Sequence, residues 1–190
     1  MILIAVTAPV LLPLLFGDQW GPSVVPCQIL AAAGVLTLSG MDRGLVVGNG
    51  KPGLWLIYVA TVDAVTVLAT LLVAPYGLVA YAWAFFAIAA VATVSRWVLV
   101  GRQLQASWIA VGSPLLRTSV PTIVAAIVGT AVGFAVTGLN PWLQLVLIGL
   151  AVLAVYLPIV RVMLPGAWTE LVGFALSFRG RRPAPVGEAT

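Results

Sequence analysis

The feature that most constrains this sequence is a series of apolar runs, most of them about as long as a bilayer is thick. A membrane-spanning helix needs about 20 mostly apolar residues, and such runs recur here between Gly, Pro and charged residues. We predict six transmembrane helices, at residues 2–16, 24–47, 54–73, 78–100, 115–136 and 141–160. The predicted fold class is all-α, a polytopic membrane helix bundle over residues 1–165. The first run is short for a span, so we expect the sequence to begin inside a helix.

Composition supports a membrane protein and argues against several other classes. Of the 190 residues, 62% are hydrophobic and only 7% are charged, whereas soluble domains carry about 25% charged residues. The basic residues are scattered singly and do not form the stripe that nucleic acid requires, so no nucleic-acid partner is expected. Histidine is absent and Cys27 is the single cysteine. We therefore expect no His-based catalysis, metal site or disulfide framework, no enzyme activity and no cofactor.

The distribution of basic residues predicts the orientation in the membrane, because cytoplasmic loops are enriched in Lys and Arg. If the six helices alternate in direction, the basic residues all fall on one side: Arg43, Lys51, Arg96, Arg102, Arg117, Arg161, Arg179, Arg181 and Arg182. The connections near Asp18, Pro75 and Thr137 contain none. We predict a multi-pass membrane protein with its C-terminus in the cytoplasm. Residues 166–178 are predicted to form an interfacial amphipathic helix, and 179–190 a basic, disordered cytoplasmic tail.

Local signals refine the predicted helices. Ser113-Pro114 and Asn140-Pro141 each place a side-chain oxygen before a proline, a pattern typical of a helix N-terminus. Ala125, Gly129 and Gly133 form a ridge of small residues that lets a neighbouring helix approach closely. We interpret this ridge as packing rather than as a ligand site.

A few polar residues within the predicted spans are candidates for a substrate pathway. Asp63 lies near the middle of the third span, where an ionisable group is costly and usually functional, and Thr66 and Thr70 continue its face. Either this stripe lines a transport path, or Asp63 joins helices through a hydrogen bond.

A second polar group lies on the second span. Arg43 would either attract an anionic phosphate or extend to the lipid headgroups as a topology anchor. The adjacent Asp42 continues a helical face that begins at Gln28, which favours a hydrated cavity.

Three short motifs in residues 1–100 resemble bacterial polysaccharide exporters. The first is Leu-Phe-Gly-Asp-Gln-Trp-Gly-Pro-Ser, at the end of the segment 8–23, between two apolar helices. The second is Val47-Gly48-Asn49-Gly50-Lys51 at a helix end, and the third is the helix entry at residues 76–80, Tyr-Gly-Leu-Val-Ala. Their order resembles the oligosaccharide flippases, which translocate O-antigen and exopolysaccharide precursors within the multidrug, oligosaccharidyl-lipid and polysaccharide exporter superfamily.

This resemblance implies a location in the bacterial cytoplasmic (inner) membrane, a function and partners. Members of the family have about twelve to fourteen helices in two bundles, so this chain resembles the C-terminal part and is expected to need a missing N-terminal bundle or other polysaccharide-assembly proteins. The implied substrate is a lipid-linked oligosaccharide, flipped by alternating access while its lipid remains among the membrane lipids. The alternatives are a small-solute or drug exporter of the same superfamily and a non-transporting membrane scaffold subunit.

Overall fold

A computed structural model describes residues 1–37, 42–50, 52–163 and 166 of the chain. In that part all regular structure is helical. Seven α-helices follow one another: α1 (Ile2–Phe16), α2 (Val24–Thr37), α3 (Asp42–Gly48), α4 (Pro52–Val73), α5 (Leu78–Leu104), α6 (Trp108–Ala135) and α7 (Pro141–Met163). Short 3₁₀ turns at Asp18–Ser23 and Ala74–Tyr76 connect α1 to α2 and α4 to α5. The predicted all-α fold is confirmed.

Helices occur at the positions of the predicted spans, but several of their limits differ. The first helix agrees with the prediction, and α7 begins at Pro141, where the side-chain oxygen of Asn140 accepts a hydrogen bond from the Trp142 N–H (3.0 Å). The span predicted at 24–47 corresponds to α2 and α3, while residues 38–41 lie outside the described part. The interfacial helix and tail predicted at 166–178 and 179–190 also lie outside it, apart from Gly166.

The predicted start of the fifth span, at residue 115, is wrong. Helix α6 begins at Trp108, and Ser107 caps it by accepting a hydrogen bond from the Ala110 N–H (3.2 Å). The Ser113 hydroxyl donates to the Ala110 carbonyl oxygen (2.9 Å). In a regular helix the backbone N–H of residue 114 would bond to that oxygen, but Pro114 has no N–H. Ser113-Pro114 is therefore an internal feature of α6, and Arg117 lies in its third turn instead of beside the connection.

Five helices pack into the central bundle. Contacts join α6 to α7, α2 to α5, α1 to α2, α5 to α6 and α1 to both α6 and α7. Its main core cluster lies where α1, α6 and α7 meet and contains the buried residues Val6, Ala125, Ile148 and Val152. This helix-on-helix arrangement buries apolar side chains between the helices.

Two residues of the predicted ridge on α6, Ala125 and Gly129, pack closely as expected, whereas Gly133 also lines a cavity. Ala125 is fully buried. Gly129 lies so close to α1 and α7 that an added Cβ would be 2.6 Å from Val152 Cγ2 and 2.8 Å from Val6 Cγ1. At Gly133 the nearest such contact is an ordinary 3.5 Å, to Ile148 Cδ1. The absence of a side chain at Gly129 therefore sets the distance between α6 and its neighbours.

Helix α4 lies at the edge of the bundle, against α5 and the short α3. None of its described residues is buried, and large apolar side chains such as Leu56, Val67 and Leu71 are exposed by 60–70%. A helix with so apolar a surface is expected to face lipid or another protein. The outer face of α4 is therefore unlike the surface of a water-soluble protein.

The described helices include five stretches that are long and apolar enough to cross a membrane: Asp18–Thr37, Pro52–Tyr76, Leu78–Leu104, Trp108–Ala135 and Pro141–Met163. The apolar helix α1, with 15 residues, is shorter than these. Asp18, after the end of α1, and Pro141, at the start of α7, line the same cavity. We call this the Asp18 end of the bundle, and the opposite end, where α5 finishes at Leu104, the Arg102 end.

Candidate functional site

The candidate site is a cavity of about 180 Å³ enclosed by α2, α4 and α5 in the half of the bundle nearer the Arg102 end. Its polar lining comes from all three helices: Thr37 from α2, Tyr58 and Thr66 from α4, and Thr93 and Arg96 from α5. The apolar part of the wall includes Val62, Phe85 and Ile88. A cation and several hydroxyl groups therefore face one space inside an otherwise apolar bundle.

Arg96 is the distinctive member of this cavity because it is a charged residue that is only 9% exposed. Its Nη2 donates to the carbonyl oxygen of Leu36 in the last described turn of α2, at 3.3 Å. A buried charge in a membrane bundle is costly and is usually kept for a pathway or a partner group.

Thr93, one turn earlier in α5, lies close to the same Leu36 carbonyl oxygen. Its hydroxyl lies 2.7 Å from the Ala89 carbonyl oxygen and 3.1 Å from that of Leu36, so it donates to one of the two at a time. Tyr58 joins α4 to α5 through a 2.7 Å hydrogen bond from its hydroxyl to the Ala92 carbonyl oxygen. These bonds hold the three helices around the cavity without water having to satisfy the groups involved.

The threonine hydroxyls of α4 donate their hydrogen bonds to carbonyl oxygens of the same helix. The Thr66 hydroxyl donates to the Val62 carbonyl oxygen and the Thr70 hydroxyl to that of Thr66, each at 2.8 Å. This pattern lets a hydroxyl lie in an apolar bundle at little cost.

The structure separates the residues that the sequence grouped together. Thr66 lines the Arg96 cavity, and Thr70 is half-buried one turn further along α4. Asp63 is exposed on the outer face of α4 and lines none of the cavities described here. Asp42 and Arg43 belong to α3, which contacts α4 and α5, and their side chains lie outside the described part.

Gln28 lies in a different place from these residues. It is half-buried near the start of α2 and donates from Nε2 to the Ala5 carbonyl oxygen at 3.0 Å. It lines a cavity between α1, α6 and α7 at the Asp18 end. The sequence-based stripe from Gln28 to Asp42 is thus divided between the two ends of the bundle.

Sequence reasoning missed Arg96, Thr93 and Tyr58 as site residues. Arg96 was interpreted as a topology marker because it lies close to the predicted end of a span. A usable signal was present, since Ala89, Thr93 and Arg96 lie on one face of α5 at helical spacing. That face is apolar over the rest of its length, so a Thr and an Arg on it indicate a buried polar contact.

A second groove lies on the other side of the contact between α4 and α5. It measures about 350 Å³ and is lined almost wholly by apolar groups, including Val65, Ala87 and Val91. Tyr58, Val62, Ile88 and Ala92 line both this groove and the Arg96 cavity. They therefore form the seam that separates an apolar groove from a cationic cavity.

These features define the class of the protein as a multi-pass α-helical membrane protein with a buried cation in its bundle. Comparison of the chain with protein-family models, with curated proteins and with solved structures found no match.

Proposed function

We propose that this chain takes part in polysaccharide biosynthesis and export by flipping a lipid-linked oligosaccharide across the bacterial cytoplasmic membrane, together with an N-terminal bundle. The observation that carries the proposal is the buried guanidinium of Arg96 in its hydroxyl-lined cavity. The sequence motifs that resemble the oligosaccharide flippases support it independently.

The chemistry of the cavity suits the phosphate groups that link such oligosaccharides to their lipid. Guanidinium is planar, is charged at all physiological pH values and matches phosphate oxygens with paired N–H donors. A cavity of about 180 Å³ holds about six water-sized groups at roughly 30 Å³ each, which is enough for a phosphate and part of its hydration. We propose Arg96 as the phosphate-binding residue, with Thr93 and Tyr58 as positioning residues.

The apolar groove across the seam suits the lipid part of the same substrate. Its lining is apolar and adjoins the exposed outer face of α4. A lipid chain could remain in contact with the bilayer there while its phosphate entered the cavity. In this proposal α4 moves relative to α5 as access alternates, because α4 has the fewest buried side chains of the long helices.

The same groove favours a second candidate function, the export of a small apolar solute or drug. Its volume of about 350 Å³ lies at the lower end of the range of small-molecule pockets. A third candidate, a non-transporting scaffold subunit, is favoured by the exposed outer face of α4, which would then be covered by another membrane protein.

A complementation experiment distinguishes the flippase from the exporter and the scaffold subunit. The chain, alone and extended through the upstream reading frame, would be expressed in a bacterium that lacks its O-antigen flippase, and surface polysaccharide would be measured. The flippase proposal predicts restoration by at least the extended form, loss with Arg96→Gln and partial activity with Arg96→Lys. Arg102→Gln is the matched control, because Arg102 is an exposed arginine on the same helix. Restoration by neither form, despite insertion in the membrane, would favour the exporter or the scaffold.

Binding provides a test that does not depend on the host. The purified protein in nanodiscs would be titrated with a polyprenyl phosphate and with the matched polyprenol. We expect the phosphate to bind about tenfold more tightly, equivalent to about 1.4 kcal/mol, and Arg96→Gln to abolish the difference. Equal affinities for the two lipids in the unaltered protein would contradict a phosphate site at Arg96.

A further inference from the structure

Two adjoining cavities lie at the Asp18 end of the bundle, far from Arg96. One, of about 350 Å³, is enclosed by α1, α2, α6 and α7; the other, of about 420 Å³, extends from it to the connection between α1 and α2. Pro9, Val10 and Gln144 line both, so we treat the two as one site, the Asp18 cleft. We propose that the Asp18 cleft binds a small molecule that carries a protonated amine next to an apolar group.

The hydroxyl groups of the cleft present acceptors. The Thr130 hydroxyl lies 2.9 Å from the carbonyl oxygens of both Ala126 and Ile127, and the Thr137 hydroxyl donates to that of Phe134 at 2.9 Å. Since a hydroxyl has one hydrogen and two lone pairs, these bonds direct the hydrogen at the helix and leave the lone pairs for a ligand. Two of the residues that line the cleft, Thr130 and Thr137, therefore have a hydroxyl group that can act toward a ligand only as an acceptor.

The two amides add further acceptors and are held in place. Gln28 Nε2 donates to the Ala5 carbonyl oxygen at 3.0 Å, and Gln144 Nε2 donates to that of Leu139 at 2.9 Å. Each amide thus uses one of its two N–H groups on the backbone and keeps a carbonyl oxygen with two lone pairs. With the threonines, acceptor sites in the cleft clearly outnumber donors, and a ligand that supplies N–H or O–H groups fits best.

The charge of the cleft lining decides which kind of donor group on a ligand fits best. Asp18 lines the outer part of the cleft, and none of the described residues that line it is basic. A carboxylate without a basic neighbour attracts a cation and repels an anion. A primary ammonium combines positive charge with three N–H donors, so it matches both properties of the lining.

The remaining wall is apolar. Val6, Pro13, Leu14 and Ile148 form much of it, and Phe134, 79% exposed, lines it from α6. A ring or short alkyl chain attached to the ammonium would bury apolar surface there. Phe134 also offers an aromatic face to which a cation is attracted. This proposal stands on the Asp18 cleft alone and does not depend on the flippase function.

Three probes of similar shape test it: 2-phenylethylamine, 2-phenylethanol and 3-phenylpropionate, which differ mainly in a cationic, neutral or anionic end. Each would be titrated calorimetrically into the full chain in nanodiscs, with empty nanodiscs as the reference for partitioning into lipid. We expect the amine to bind at least about tenfold more tightly than the alcohol, and the carboxylate to give no saturable heat. Equal binding of amine and alcohol, or binding of the carboxylate, would overturn the proposal.

Variants locate the site. Asp18→Asn is expected to weaken amine binding about tenfold while leaving the alcohol unchanged, and Asp18→Glu is expected to retain most of the amine affinity. Gln144→Leu should weaken both probes. Asp63→Asn is the matched control, because it makes the same change at an exposed aspartate on the outer face of α4 that lines none of these cavities. Amine binding that survives both Asp18→Asn and Gln144→Leu would place the site elsewhere.

Discussion

Arg96 of α5 reaches the carbonyl oxygen of Leu36 in α2 at 3.3 Å, and Thr93 lies 3.1 Å from the same oxygen. One backbone acceptor thus ties a cation and a hydroxyl from one helix to the end of another. In a bilayer, where water does not satisfy backbone groups, such a contact fixes the relative position of the two helices. It also fixes the position of the Arg96 guanidinium relative to the cavity.

We predict that Thr93 and Arg96 are energetically coupled through Leu36. Thr93→Val and Arg96→Met should each lower the free energy of unfolding, by about 0.5–2 kcal/mol for a hydrogen bond inside a membrane bundle. The double variant should lose more than the sum of the two, because either donor alone can still bond to the shared oxygen and only the double variant removes both bonds. Denaturation in detergent of the four proteins of this cycle measures the coupling. Strict additivity would show that the two donors act separately.

A second prediction concerns the approach of α6 to α1 and α7. Gly129→Ala should destabilise the protein by about 1–3 kcal/mol, because the new Cβ would be 2.6 Å from Val152 Cγ2 and 2.8 Å from Val6 Cγ1. Gly133→Ala is the matched control one turn away, where the nearest contact is 3.5 Å. Thermal unfolding in detergent should separate the two variants by several degrees. Equal effects would mean that α6 is not held closely at Gly129.

The third prediction concerns Gly112 and Trp97, where α6 meets α5. A Cβ at Gly112 would be 2.6 Å from Trp97 Cε3, and Trp97 is buried, so its ring has little room to move. Gly112→Ala should therefore destabilise the protein by about 1–3 kcal/mol. A smaller side chain should relieve the clash, so Gly112→Ala should cost less in a Trp97→Leu background than in the unaltered protein. The same cost in both backgrounds would show that the ring is not the obstacle.

Much of the fold could be predicted from the sequence because apolar length is the main determinant of a membrane helix. The limits of α1 and the start of α7 agree with their predictions, since a Gly ends one and an Asn-Pro pair begins the other. Helix α5 continues to Leu104, four residues beyond the predicted end, and stops where Gln105 adopts a left-handed conformation with φ 53°. Helix ends of this kind depend on backbone geometry that composition does not determine.

The site was harder to predict, because burial comes from helix packing and not from the helix itself. Asp63, the acidic residue near the centre of a predicted span, is a candidate pathway residue by sequence, but it lies on the exposed face of α4. Arg96 is a topology marker by sequence, because it lies near the predicted end of a span, but α2 and α4 enclose its side chain. Which face of a helix is covered depends on contacts between helices that are distant in sequence, and a single sequence gives only the face, not its neighbour.

The last prediction distinguishes the two serines that could begin α6. Ser107→Ala should destabilise the protein by about 0.5–2 kcal/mol, the usual cost of losing an N-cap, because the Ser107 oxygen accepts from the Ala110 N–H. Ser113→Ala should cost less, since the Ser113 hydroxyl donates to a carbonyl within the helix instead of capping its end. Thermal unfolding of both variants, with Ser107→Asp as a variant that retains a cap, provides the comparison. A larger loss from Ser113→Ala than from Ser107→Ala would restore the helix start that the Ser113-Pro114 pair predicted.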